Sequence, residues 1–163
     1  MTLKEFKDFF LKSLSKTYPS TEIDTFLSIL LENQLNLKRI DTVLQPNLIL
    51  EEKDLGALKK IVNRLKREEP IQYIISKTEF FGISFKVNKH TLIPRPETEE
   101  LVSWVIKEAK NFENTYSNIS ILDIGTGSGC IPVSLAINLK KSDIDAIDIS
   151  EEALKIANKN AEL

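Results

Sequence analysis

Three of the five glycines in the chain, Gly125, Gly127 and Gly129, fall within five consecutive residues. Such clustering needs a local cause. Ile119 to Asp123 reads as a buried strand and Cys130 to about Leu139 as a helix, so the glycines occupy a strand-to-helix junction. Glycine there lets the backbone turn sharply and lets a ligand approach where any side chain would collide, while the following helix offers unpaired N–H groups. Asp123 precedes the loop. Asp148 lies nineteen positions after Gly129, at the end of the next strand, where a carboxylate can accept hydrogen bonds from both hydroxyls of a ribose. The dinucleotide fingerprint is G-x-G-x-x-G, but here Cys130 stands in place of its third glycine and the pattern is G-x-G-x-G. The combination suits an adenosine-containing cofactor. A carboxylate at either site would repel a ribose 2′-phosphate, which argues against NADP. A plain tight turn beside a solvated strand end is the alternative, and the joint occurrence of both features in the right context weighs against it.

The elements that must hold this loop follow from periodicity. Ser150 can cap a last helix whose first turn carries Glu151 and Glu152, as the helix dipole prefers. Upstream, Leu101, Val102, Val105, Ile106 and Ala109 recur on one helical face, and Pro96 can open that helix. A polar stretch from Asn111 to Asn118 separates this helix from the strand. Before it, Tyr73-Ile74-Ile75, Glu79-Phe80-Phe81 and Ser84 to Val87 are short β-branched or aromatic runs with Gly82 as a turn, which predicts a hairpin linker.

The first seventy residues are helical in pattern. Thr2 and Glu5 have capping-box spacing ahead of Leu3, Phe6, Phe10 and Leu14. Ile23, Phe26, Leu27, Leu30 and Leu31 form a second stripe, Leu37, Ile40 and Leu44 a short third, and Leu55, Leu58, Ile61, Val62 and Leu65 a fourth over about Glu51 to Lys66. The predicted class is α plus α/β. A helical bundle covers 1–70, a β-hairpin linker 71–90, and the first part of a Rossmann-like domain 91–163.

Bulk properties narrow the partners. With 42% hydrophobic and 28% charged residues the chain is of ordinary globular type, and a net charge of −2 gives no reason to expect nucleic-acid or membrane binding. No signal-peptide pattern or bilayer-length apolar run is present. The single cysteine, Cys130, forbids an intrachain disulfide, no cluster has metal-ligand spacing, and a soluble cytoplasmic protein is expected. Cys130 reads as a packed residue rather than a nucleophile, and Trp104 and the phenylalanines read as core. His90, the sole histidine, has no nucleophile pattern beside it. Lys60, Arg64 and Arg67 share a helical face that is more simply a solvated stripe than a contact for an acidic partner.

Four phrases then occur in a telling order. They are Glu69-Pro70-Ile71-Gln72-Tyr73-Ile74, Phe80-Phe81-Gly82-Ile83-Ser84-Phe85-Lys86-Val87, Leu92-Ile93-Pro94-Arg95-Pro96-Glu97-Thr98-Glu99, and Ile121-Leu122-Asp123-Ile124-Gly125-Thr126-Gly127-Ser128-Gly129. Across nearly its whole length the chain resembles the protein-(glutamine-N5) methyltransferases that modify peptide chain release factors. The glycine loop is shared by many methyltransferases, whereas the Pro-Arg-Pro-Glu-Thr-Glu segment behind a helical domain is far more selective.

The resemblance implies a helical domain that helps recognise the release factor, a hairpin linker and a Rossmann domain for S-adenosyl-L-methionine. Gly125, Thr126, Gly127, Ser128 and Gly129 would pass beneath the methionine and ribose of that cofactor, and Asp148 would hold the ribose. Asp123, Arg95 and Glu97 would lie near the site without an assigned contact. In the family the amide substrate is gripped by an Asn-Pro-Pro-Tyr motif, and that sequence occurs nowhere here. No catalytic residue is therefore assigned. The chain is expected to be a C-terminally truncated piece that cannot methylate alone, since two parallel strands with partial helices cannot bury both sheet faces. Two other readings share some features. One is a glutamine methyltransferase for a ribosomal protein or an adenine-N6 methyltransferase; the other is a non-catalytic module that binds a release factor.

Overall fold

The computed structural model describes residues 1–112 and 118–163, and the polar stretch expected at 111–118 lies largely outside them. The chain divides into two compact units, Met1–Ile75 and Ser76–Leu163.

The first unit is helical. Helix α1 (Leu3–Leu14) starts on the expected capping box: the Thr2 hydroxyl accepts from the Glu5 amide at 3.2 Å, and the Glu5 carboxylate accepts from the Thr2 amide at 2.8 Å. Leu3, Phe6, Phe10 and Leu14 are buried on one face, as their spacing requires. Helix α2 (Ser20–Leu35) ends where Asn36 adopts φ 53°, a left-handed cap in which the Asn36 amide donates to the Glu32 carbonyl and the Leu37 amide to the Leu31 carbonyl. Helix α4 (Glu52–Leu65) buries Leu58, Ile61, Val62 and Leu65 against α1 and α2. Each such side chain taken from water contributes about 1.5–3 kcal/mol before conformational entropy is counted.

Between α2 and α4 the third apolar stripe behaves differently from its pattern. Only Asp41–Leu44 is helical (α3), and Ile40, Val43 and Leu44 are exposed. A single turn is too short to present a continuous face, so only Leu37 joins the core. Tyr73-Ile74-Ile75 is also not a strand. Ile71–Ile75 forms the short helix α5, begun by the Pro70 carbonyl, and it buries Ile71 and Ile74 in the helical core. Pro70 flanks the first turn and its carbonyl accepts from Tyr73 and Ile74, and burial against the bundle overrides the β preference of isoleucine.

The second unit opens with the hairpin β1 (Lys77–Phe80) and β2 (Ile83–Lys86), paired antiparallel with Phe80 opposite Ile83. Phe81 and Gly82 both take positive φ, 53° and 72°, as a two-residue turn matched to strand twist requires. The hairpin packs Phe80 and Phe85 into the same core as Val102, Ala109 and Leu135. It is thus part of the second unit, and the segment 71–90 is shared between two folded bodies instead of forming a separate linker.

Helix α6 (Pro96–Phe112), strand β3 (Ile119–Ile124), helix α7 (Cys130–Asn138), strand β4 (Ser142–Ile147) and helix α8 (Glu151–Ala161) complete the unit. Strands β3 and β4 are parallel and in register from Ile119 opposite Ser142 to Ile124 opposite Ile147. Alternation directs Ile119 and Ile121 towards the core, where Val102, Ala109 and Leu135 lie, and leaves Leu122 and Ile124 exposed. Trp104, read as core from its spacing, is 64% exposed, because α6 turns Val102 and Ala109 inward.

Candidate cofactor site

The site is built at the carboxyl ends of β3 and β4, the edge of an open parallel sheet where ligands bind. The amides of Gly125 and Thr126 both donate to the Ile147 carbonyl, at 2.8 and 3.0 Å, which carries the sheet pairing one step past β3 and fixes the start of the loop. Gly125, Gly127 and Gly129 have φ of 80°, 56° and 76°. These values lie in the left-handed region, where a side chain is strained, so three glycines answer three backbone requirements. Gly129 has a further one. A Cβ there would stand 3.1 Å from the Cβ of Ala157, so α8 packs directly on the loop.

Asp148 ties the two strand ends together. Its Oδ2 accepts from the Gly127 amide at 2.8 Å and its Oδ1 from the Ser150 amide at 2.9 Å. These contacts hold its carboxyl below the usual range, the Ser150 N–H first and the Gly127 N–H next, with desolvation opposing. Each carboxylate oxygen retains a second lone-pair direction, so the group can still accept from a ligand hydroxyl. Ser150 caps α8 in turn, accepting from the Ala153 amide at 3.2 Å.

An open cleft of about 440 Å³ sits here, lined by Ile124, Gly125, Ile147, Asp148 and Ile149. Its walls combine one carboxylate with three aliphatic side chains, and Ile149 is fully exposed. A larger groove of about 490 Å³ between α7, β4 and α8 is mainly aliphatic and touches the loop only at Thr126 and Gly129. The first cleft has the chemistry for a sugar bearing an apolar ring; the second does not.

The remaining expected residues are less tightly gathered. Asp123 lies near Cys130 and keeps its Oδ2 buried without a partner among the described residues. Thr126 Oγ1 is likewise buried and unpartnered. Ser128 is buried behind the loop. Arg95 and Glu97 are exposed, line neither cavity and enter no ion pair among the described residues. Burial pushes the Cys130 thiol up, which suits packing over nucleophilic use. No group of His, Cys, Asp and Glu among the described residues could hold a metal ion, and no described helix is long and apolar enough to cross a membrane.

Three residues of structural weight escape sequence reasoning. Asn160 is fully buried in α8 and bonds to both β2 and the glycine loop. Glu99 accepts from the Phe81 amide at 2.9 Å and so anchors the hairpin turn to α6. Arg64, placed on a solvated stripe by its spacing, is committed to Glu69 through a two-pronged contact of 2.7 and 2.5 Å. The buried position of Asn160 inside an otherwise apolar helical face was the one visible signal.

A glycine loop with three left-handed φ values, tied by a carboxylate across the ends of two parallel strands, has the form of the opening of a Rossmann-like domain, and it follows a separate helical unit in the chain. Comparison with known proteins sharpens this. Residues 8–75 match the family model described as PrmC N-terminal domain, and residues 96–163 match that described as Ribosomal protein L11 methyltransferase (PrmA). The chain is 48% identical over 163 residues to a release factor glutamine methyltransferase of Flavobacterium psychrophilum, covering 100% of this chain and 57% of that protein. Against proteins of the same name from Bacteroides thetaiotaomicron and Leptospira interrogans it is 42% identical over 151 residues (93% and 52% covered) and 38% over 161 (99% and 54%). Over its whole length the chain is thus similar to release factor glutamine methyltransferases, and it spans about half the length of the curated relatives it matches.

Proposed function

We propose that the second unit binds S-adenosyl-L-methionine, as part of an enzyme that methylates the side-chain amide nitrogen of a glutamine in a peptide chain release factor. The observation that carries the reading is the Gly127–Asp148 contact at the carboxyl ends of two parallel strands. Gly125 to Gly129 offer a surface without side chains at the three glycines, and Asp148 is placed to accept from ribose hydroxyls. Ile149 and Ile124 offer apolar surface to a purine. The buried, unpartnered Oδ2 of Asp123 is an acceptor for which an ammonium-bearing ligand supplies a donor. When bound, this cofactor supplies the methyl group as an electrophile.

The helical unit is the candidate recognition domain. Ile40, Val43, Leu44 and Ile49 are exposed apolar side chains on it that a protein partner would cover. Transfer to an amide nitrogen requires acceptors that orient its N–H groups, and an Asn-Pro-Pro-Tyr sequence that would provide them is absent from these 163 residues. Cofactor binding with no methyl transfer is therefore the behaviour expected of this chain.

Calorimetric titration with S-adenosylhomocysteine and a pull-down with purified release factor test the two halves separately. Binding of both supports the reading. Binding of the cofactor product without the release factor would shift the assignment to a methyltransferase with another substrate, and binding of the release factor alone would leave a docking module.

A further inference from the structure

We infer that Asn160 is a positioning residue for the cofactor loop, a single carboxamide that locks the glycine turn to the hairpin; the link to the cofactor rests on the proposed function. Asn160 lies on the last turn of α8, fully buried. Its Nδ2 donates to the Ser128 carbonyl at 2.8 Å and to the Lys86 carbonyl at 2.9 Å, while its Oδ1 accepts from the Lys86 amide at 2.8 Å. Both amide protons are thus spent on backbone carbonyls from segments 32 and 74 residues away in sequence. A buried carboxamide is tolerated only when it is satisfied in this way, and the same demand makes it hold its partners in one geometry.

Its place explains why the loop needs such a tie. Asp148 secures Gly127 from the strand side, and the Ile147 carbonyl secures Gly125. Ser128 and Gly129 face α8 instead, where Ala157 approaches one turn before Asn160. The loop is therefore gripped from two sides, by Asp148 just past β4 and by Asn160 on α8. Through Lys86 the second grip also reaches β2, so the hairpin and the loop share one anchor.

The five glycines make a direct test, because selective 15N-glycine labelling of the full chain gives one amide signal for each. Gly125 reports the β3–β4 junction, Gly127 and Gly129 the far half of the loop, and Gly56 the helical unit. In Asn160→Ala, hydrogen exchange at Gly127 and Gly129 should quicken at least tenfold with Gly125 and Gly56 unchanged. Unchanged exchange at Gly127 and Gly129, or equal quickening at Gly125, overturns the inference, since the latter is general loosening of the unit. Should Asn160→Ala fail to fold, Asn160→Ser, which keeps a small polar group but is too short to hold both carbonyls, carries the same reading. These measurements need no ligand. In parallel, S-adenosylhomocysteine should bind the variant at least tenfold more weakly than the unaltered chain; equal affinity would refute a role in cofactor binding, whereas an unaltered chain that does not bind refutes the function and leaves the exchange result to decide Asn160.

Discussion

The Gly127 amide donates to Asp148 Oδ2 at 2.8 Å, joining residues 21 positions apart across the ends of two parallel strands. The carboxylate thus shapes the loop before any ligand arrives, and under the proposed function it also accepts from the ribose. Asp148→Ala removes both functions. A hydrogen bond to a charged group is among the stronger ones a site can make, so affinity for S-adenosylhomocysteine should fall roughly tenfold or more. Titration of the folded variant with undiminished heat and affinity would show that Asp148 does not touch the ligand.

The same contact sets a pH dependence. The Asp148 carboxyl is held below its ordinary value in the folded state by the Ser150 and Gly127 amides. A depressed folded pKa means that its contribution is present above the unfolded value and is lost as pH falls through the folded one. The Gly127 amide resonance should therefore hold steady through the neutral range and move only well into the acid range. In Asp148→Asn that titration step should vanish.

Glycine substitutions should divide by backbone geometry. Gly129 has φ 76° and no room beside Ala157, so Gly129→Ala should destabilise the second unit by about 1–3 kcal/mol. Gly56 sits within α4 with nothing near an added Cβ, so Gly56→Ala should stabilise the first unit by about 0.5–1 kcal/mol. Denaturant melts followed separately in each unit give both signs. A Gly56→Ala chain less stable than its parent would mean that α4 is not a regular helix there.

Within the helical unit, the Tyr18 hydroxyl donates to the Leu65 carbonyl at 2.8 Å and its ring meets Phe26 edge-on. Leu65 ends α4, so this bond satisfies one of the terminal carbonyls that the helix itself leaves open. Tyr18→Phe retains the ring contact and should cost about 1 kcal/mol. An unaltered melting midpoint would show that water replaces the hydroxyl at no loss.

Acid should also loosen the Arg64–Glu69 pair. Its partner guanidinium holds the Glu69 carboxyl below the usual range, so the stability it contributes is lost as pH falls through that lowered value. Both side chains are partly exposed, at 42% and 35%, and added salt should weaken the effect. Arg64→Gln should make the first unit's melting less sensitive to pH between neutral and acid conditions; equal sensitivity would mean that other carboxylates dominate.

The sequence by itself determined the local features whose causes are local. The Thr2–Glu5 cap, the faces of α1 and α4, the Phe81–Gly82 turn and the strand-glycine-helix order all follow from residue types at short spacing, and they survive unchanged because each is satisfied within a few residues. The glycine loop and Asp148 were legible for the same reason: left-handed backbone demands glycine, and a carboxylate at a strand end is visible without knowing the fold. Only tertiary structure decided the rest. Ile71–Ile75 is a helix because a core lay ready to cover it, Trp104 is exposed because α6 turned the other way, and Arg64 left its stripe for Glu69. Asn160 is the clearest case. Nothing within its own helix explains a carboxamide on a buried face, since its partners Lys86 and Ser128 are brought beside it only when hairpin, loop and helix close on one another.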